Sequence, residues 1–319
     1  MKHFVAAAGM FTMGLSAGVW AQPEWPNKPV RIIVPSSPGG ATDLIGRLLA
    51  ANFSAALGQQ FIVENRAGAS GGIGYVVTAR SPADGYTLVI STTAITSLHI
   101  VMKDVQFDAL KDFSPITQIV ASAQVLAVHP SVPARSIREL VTLAKSNPDA
   151  LTFASPGEGS VPHLAVELLK TMAGVRMTHV PYKGVNPALI DVIGGHVSSI
   201  VVNVISAKNN VDTGKLRALA VTSLKRAEAL PNTPTVAEQG YPGYEALQWF
   251  GLLAPAATPM RIISKLHTLT LATLHDPETK KRLAEEEPIG NTPEEFTKVM
   301  RLEIEKWSRV AKIANIKAN

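Results

Sequence analysis

The sequence predicts an α/β protein built on doubly wound parallel sheets, and three observations predict it. Short β-branched runs alternate with segments of helical period along most of the chain. A strand, a glycine loop and a capped helix follow one another in the first half, and the same device returns in the second. The composition, 46% hydrophobic, 6% aromatic and 17% charged with 23 Gly and 22 Pro, suits such packing and argues against disorder or a coiled coil. A chain of 319 residues is long enough for two domains, each with its own core.

The first device sets the pattern. Residues 30–34, VRIIV, have the composition of a buried strand, and Pro35 stops it. Pro38-Gly39-Gly40 makes a loop in which bulkier side chains would crowd anything approaching the backbone. Thr42 or Asp43 can cap the helix that follows, whose Leu44, Ile45, Leu48, Leu49 and Phe53 recur at helical spacing up to Gly58. Residues 61–64 read as a second strand, Asn65 to Gly72 as a glycine-rich loop, 73–80 as a short helix and 86–91 as a third strand. Two strand-like runs, 116–120 and 124–129, are separated by Ala121-Ser122-Ala123. Ser136 and Glu139 form a capping box for a helix closed by Asn147-Pro148.

The second device starts with the strand 151–154, passes through Ser155-Pro156-Gly157-Glu158-Gly159-Ser160, and enters a helix with Leu164, Leu168, Leu169 and Met172 on one face. Strands follow at 176–180, 197–202 and 216–222, with a helix at 187–193. Thr235 and Glu238 make another capping box, 247–254 is a strand, and two helices close the chain, the last opening at Thr292-Pro293-Glu294-Glu295. Free amides in the first turn of a helix and the helix dipole make each device a site for a small anion. Two domains facing each other would aim both N-termini into one cleft at the carboxyl ends of the strands.

Lys2 and His3 followed by the apolar residues 4–19 and by Val19-Trp20-Ala21 read as a signal peptide, residues 1–21, with cleavage after Ala21. Export to an extracytoplasmic space follows. The chain has no cysteine, which excludes disulfides, thiolate zinc sites and a cysteine nucleophile. Its net charge of +5 comes from scattered Lys and Arg without interleaved aromatics, so no nucleic acid is expected. The eight His are scattered as well, and no metal or cofactor is expected.

The segments PSSPGGATD, VENRAGASGG, DGYTL, FASPGEGS-VPH, HVPYKG, LRALAVTS, PTVAEQGYPGYE and QWFGLLAPAATP, in this order between Pro26 and Pro259, resemble the Bug-type (TctC-like) solute-binding receptors of tripartite tricarboxylate transporters. The resemblance implies a type II periplasmic-binding-protein (Venus-flytrap) fold, two α/β domains with two chain crossings, placed near Ser122 and Trp249. The first domain would comprise residues 22–122 plus 250–319 and the second 123–249. It also implies a monomeric receptor in the periplasm that captures a small carboxylate and delivers it to membrane permease subunits, without catalysis.

Carried onto this sequence, the resemblance puts Gly39, Gly40, Ala41, Thr42 and Asp43 on the first-domain side of the pocket. Ser155, Gly159, Ser160, His163 and Asn203 take the second-domain side. A carboxylate at Asp43 would repel an anion, so capping its helix and holding the loop is the expected role, with contact to a ligand ammonium group as the alternative. For His163 a tautomer fixed by loop hydrogen bonds is expected over proton transfer. Lys183 is read as a solvated charge, with ligand contact as the alternative. Two positions depart from the family pattern. Ser36 stands where an aromatic is common, predicting a roomier and more polar pocket. Ser198 stands where an aspartate is common, about 16 Å along its strand from Asn203.

Rival functions are also open to the residues. Gly68-Ala69-Ser70-Gly71-Gly72 matches the nucleophile-elbow pattern of a serine hydrolase, with no particular Asp or His singled out as partners for Ser70. A ligand-sensing receptor for a membrane sensor kinase would keep the fold and change the output.

Overall fold

A computed structural model describes residues 24–182, 184–283 and 286–316. The signal peptide, its cleavage site and Lys183 lie outside the described residues.

The chain alternates as expected through β1 (Val30–Val34), α1 (Ala41–Leu57), β2 (Phe61–Asn65), α2 (Gly72–Ala79), β3 (Thr87–Thr92) and α3 (Ala94–Val101). It continues with β4 (Phe113–Val128), α4 (Ile137–Ser146), β5 (Thr152–Ser155), α5 (Val161–Ala173), β6 (Thr178–Pro181), α6 (Val185–Ile193), β7 (Ser199–Asn203), α7 (Val204–Asp212) and β8 (Arg217–Val221). It closes with β9 (Leu247–Pro255), α8 (Met260–His275), α9 (Pro277–Arg282), β10 (Glu287–Pro288) and α10 (Pro293–Ile313).

The expected parallel pairing holds within each half. β1 lies parallel to β2 and β3, and β5 lies parallel to β6 and β7. The strands that connect the halves run antiparallel instead: β9 against β3 and β4, and β7 and β8 against β4. The two runs expected at 116–120 and 124–129 are one strand of 16 residues. Ala121-Ser122-Ala123 does not break it, because those residues pair with Trp249, Gln248 and Leu247 of β9. From Gln124 onward the partner becomes β7, so β4 belongs to both sheets. Ladder hydrogen bonding outweighs the weak strand propensity of a small-residue segment.

Local signals are met unevenly. Gly58 ends α1 at φ 66°, the left-handed conformation a glycine adopts freely, with its N–H donating to the Ser54 carbonyl. Thr292 and Glu295 close a full capping box at α10. Ser136 accepts the Glu139 amide, but the Glu139 carboxylate takes the Arg135 amide, one residue short of a reciprocal box. Thr235 and Glu238 bond reciprocally yet cap only a turn, which no helix continues. The helices α3 and α7 carry no comparable signal and come only from the fold.

Each sheet has its own buried clusters. Ile32, Val34, Ile45, Leu49, Phe53 and Leu88 lie in the first, and Phe153, Leu164, Leu169, Val201 and Tyr244 in the second. The last helix, grouped with the first domain in the sequence-based division, packs against both. Phe296 and Met300 enter a cluster with Ile33, Tyr75 and Trp249, while Trp307, Val310 and Ala311 join Phe153 and Tyr244. No helix among the described residues is long and apolar enough to cross a membrane.

Gly251 of β9 lies directly beneath Phe296, and a Cβ added there would stand 2.6 Å from Phe296 Cε1. Gly251→Ala should therefore destabilise the fold by about 1–3 kcal/mol in urea titrations, with partial recovery when Phe296→Leu is added. An unchanged midpoint in the single variant would show that α10 yields without cost.

Candidate functional site

A cleft of about 600 Å³ opens between the two sheets. Its floor is Gln124 of β4 with Gln248 and Phe250 of β9. Around it converge the N-terminal turns of α1 (Ala41, Leu44, Ile45), α3 (Ala94, Ser97), α5 (Val161, Pro162), α6 (Val185) and α7 (Ser206). Asn203, the last residue of β7 and the cross-strand partner of Gln124, stands at the same wall. No side chain caps α1 or α6, so their first-turn amides are left for water or a ligand, whereas at α3 the Ala94 amide donates to Thr92 Oγ1 (3.3 Å). The summed dipoles make the cleft favourable for an anion.

The first glycine loop is held from behind. Asp43 is buried, and its Oδ2 accepts from the Gly39 amide (3.0 Å) and from Arg47 Nε (2.9 Å). Its Oδ1 accepts from Asn65 Nδ2 (2.9 Å), which also donates to the Ser36 carbonyl (3.1 Å). The Arg47 bond, ahead of those from Gly39 and Asn65, lowers the carboxyl pKa to about 2 against the opposing effect of burial. Gly40, not Thr42 or Asp43, is the N-cap of α1; Asp43 sits inside the first turn and reaches back to the loop. Its oxygens are engaged by Gly39, Arg47 and Asn65, and Asp43 does not line the cleft.

Ser36 also stands outside the lining. Its hydroxyl turns to the Ser37 carbonyl (3.4 Å), and Asn65 ties down its own carbonyl. The cleft's walls mix aliphatic residues with polar ones, among them Ser97, Gln124, Asn203 and Gln248. Gly39, Gly40 and Thr42 likewise frame the loop without lining the cavity, whereas Ala41 does line it. At Gly40 an added Cβ meets nothing within 4 Å.

In the second device Gly159 and Ser160 line the cleft, while Ser155 and His163 lie buried beneath it. The Gly159 amide donates to His163 Nδ1 (3.1 Å), which fixes the neutral imidazole with its proton on Nε2, 3.8 Å from Glu167 Oε1. The His163 ring stacks on His179 with centroids 3.9 Å apart, and His179 stacks on Phe153 at 4.8 Å. His179 Nε2 lies 2.7 Å from Ser155 Oγ, which accepts the Gly157 amide. Burial above all, then His179 and Lys170, lowers the His163 pKa to about 3; burial and Lys170 lower that of His179 to about 4. Both rings are neutral scaffolding for the loop at pH 7. Ser97 Oγ of α3 donates to the Gly159 carbonyl (3.2 Å), joining the lobes across the cleft.

Ser198 sits at the far end of its strand, where its hydroxyl accepts the Thr152 amide (3.2 Å). Sequence reasoning missed Thr92, Ser97, Ser206 and Gln248, which reach the cleft from the end of β3, from α3, from α7 and from the long crossing strand β9. It also missed Lys281 and Arg282, at the end of α9. Their signal was the basic run Lys280-Lys281-Arg282, which reads equally as the ordinary complement of a helix C-terminus. Among the described residues no group of His, Asp and Glu could hold a metal ion.

The family model of tripartite tricarboxylate transporter family receptors matches residues 45–316. The chain belongs to that family. The receptor is 34% identical over 319 residues to Protein BugT of Bordetella pertussis, covering 98% of this chain and 97% of that relative. It is 35% identical over 298 residues to a UPF0065 protein from the tcbD-tcbE intergenic region of Pseudomonas sp. strain P51, covering 92% and 89%. Among solved structures, R. palustris Rpa4515 with adipate superposes with a TM-score of 0.81 at 38% identity, covering 93% of this chain and all (100%) of that one. MatC from Rhodopseudomonas palustris with bound malate gives 0.76 at 28%, covering 90% and 100%. The periplasmic binding protein BugD gives 0.77 at 32%, covering 92% and 100%. These relatives are receptors, not enzymes, so Ser70, which lines the cleft, does not make this chain a hydrolase.

The buried histidine has a consequence for stability. The folded chain keeps His163 neutral, whereas an unfolded chain protonates it near its ordinary value of 6.5. The unfolded state therefore takes up more protons as pH falls, and stability drops from about pH 6.5 downward toward 3, by about 1.4 kcal/mol per pH unit from this group. His163→Asn keeps an acceptor for the Gly159 amide and should reduce the slope of urea stability between pH 6 and about 4.5, a window above the lowered pKa of Asp43 in which His179, lowered to about 4, still contributes. An undiminished slope in the variant would assign the loss to other groups.

Proposed function

We propose that this receptor captures a small carboxylate between its two lobes in the periplasm and delivers it to the membrane permease subunits of a tripartite tricarboxylate transporter. The observation that carries the reading is the convergence of helix N-termini on one cleft, those of α1 and α6 uncapped. Gly39, Gly40, Ala41, Thr42 and Asp43 supply and hold one wall; Ser155, Gly159, Ser160, His163 and Asn203 do so for the other. Adipate and malate, present in the related Rpa4515 and MatC structures, are ligands of that class.

An amide-lined site gains modestly from each dipole, about 0.3–1 kcal/mol when exposed and up to about 2 when partly buried. Closure of residues 22–122 with 250–319 onto residues 123–249 would exclude water and strengthen every such contact. The crossings near Ser122 and Trp249 are the bending points of this reading. The receptor works as a monomer, exported through the signal peptide ending at Ala21.

A thermal-shift panel of mono-, di- and tricarboxylates, amino acids and neutral solutes tests this reading. A carboxylate at a hundred times its Kd adds about 2.7 kcal/mol to the folded state and raises Tm by several degrees. Gly40→Val, placed in open space, should weaken that carboxylate at least tenfold in calorimetry with Tm of the free protein unchanged. Stabilisation by neutral solutes alone would overturn the ligand class. Intact-mass measurement of exported protein should give a chain beginning at Gln22; material that retains Met1 would refute export by this route.

A further inference from the structure

The two devices leave one element of the cleft without a role. The turn between β2 and α2, residues 68–71, brings Ser70 to the cavity, and it does so at a conformational cost. Four successive residues have positive φ: Gly68 at 124°, Ala69 at 49°, Ser70 at 53° and Gly71 at 96°. Glycine takes that region freely, but in Ala69 and Ser70 the Cβ crowds the backbone carbonyl that follows. Among other residues Asn and Asp enter it most readily, and neither stands here.

Packing fixes where the turn lies. Gly71 and Gly74 press on the end of β1: an added Cβ would stand 3.3 Å from Pro35 Cβ at the first and 2.9 Å at the second. At Gly71 it would also meet the buried ring of Tyr75 at 3.1 Å. The Gly71 amide closes the turn on the Gly68 carbonyl (2.9 Å). None of these contacts uses the Ser70 side chain, which is exposed and makes no hydrogen bond among the described residues. The other two hydroxyls that line this side of the cleft are engaged. Thr92 Oγ1 accepts the Ala94 amide (3.3 Å), and Ser97 Oγ donates to the Gly159 carbonyl (3.2 Å). Water can satisfy an exposed hydroxyl, so the lack of a partner decides little alone. What weighs is the strain that puts this hydroxyl in the cleft, on the wall that also carries the uncapped first turn of α1.

We infer that the turn 68–71 is a third binding element of the cleft, in which the Ser70 hydroxyl donates to the carboxylate received by the first turn of α1. This rests on the carboxylate reading above. A carboxylate accepts from several donors at once, and a hydroxyl adds a directed, charge-assisted bond to the broad pull of the helix dipole. The strain then has a use. The left-handed backbone sets the Cα–Cβ bond of Ser70 toward the cavity, much as a nucleophile elbow presents its serine, and here the group presented is a hydrogen-bond donor.

Calorimetry with acetate, succinate, malate, adipate and citrate identifies the acid that the parent binds most tightly, and that acid is titrated into Ser70→Ala and Ser70→Gly. Ser70→Ala keeps the backbone strain and loses only the hydroxyl. Its Kd should rise at least about fivefold while Tm of the free protein stays that of the parent. Ser70→Gly loses the hydroxyl and relieves the strain, so its Kd should rise as much with no fall in Tm. Weaker binding without loss of stability is a pattern that a merely structural turn does not give. A smaller rise of Kd in Ser70→Ala overturns the inference and leaves the carboxylate reading standing. A Tm lowered by several degrees in Ser70→Ala overturns it too, because the hydroxyl would then serve the fold. If none of the five acids binds the parent, the carboxylate reading falls and this one falls with it.

Discussion

The arrangement depends on one continuous ladder, that of the 16-residue strand β4. Its first part pairs with β9 and its last five residues pair with β7 and β8. Backbone pairing therefore runs from one sheet into the other, with register shifts at Ile116 and Ile119, and Gln124 sits where the partners change. Because each half is parallel within itself, its loops and helix N-termini gather at the carboxyl ends of the strands. Joining the halves through antiparallel strands turns those two ends toward a common cleft. A second tie lies behind it, where α10 buries Phe296 in one core and Trp307 in the other.

The two walls are alike in plan and differ in chemistry. In each, a side chain from the first helical turn reaches back to a loop amide: Asp43 to Gly39, and His163 to Gly159. Asp43 is kept ionised by Arg47, while His163 is kept neutral by burial and by its stack on His179. Neither group titrates near pH 7, so the loops keep their shape through ordinary pH changes. What a ligand meets is then the helix dipoles, the side chains at the end of α9, and a wall in which aliphatic residues alternate with polar ones such as Gln124, Asn203 and Gln248.

Much of this was legible in the order of residues. Local chemistry with short reach, such as the glycine loops, the Gly58 cap and the alternation of β-branched runs with helical periods, reads directly from the chain. The position of Asn203 at one end of its strand and Ser198 at the other follows from the strand's period alone. Reading stopped where a local signal had two outcomes. Thr235 and Glu238 satisfy a capping pattern and cap only a turn. Ala121-Ser122-Ala123 looks like an interruption and is the middle of the longest strand.

The sequence by itself determined the alternating α/β class, the two paired devices and, through eight segments in order, the receptor family. Only the tertiary structure decided which residues face the cleft. Ser36 and Asp43 lie within the first device and turn away: Gly39 and Arg47 hold Asp43 from four residues on either side, and Asn65, from the next strand, ties down both Asp43 and the Ser36 carbonyl. Lys281 and Arg282 lie over two hundred residues from that loop and line the same cavity, because β10 pairs with β4. A strand's partner and a distant competitor such as Asn65 are non-local quantities, set by packing between segments far apart in sequence, and no window of neighbouring residues contains them.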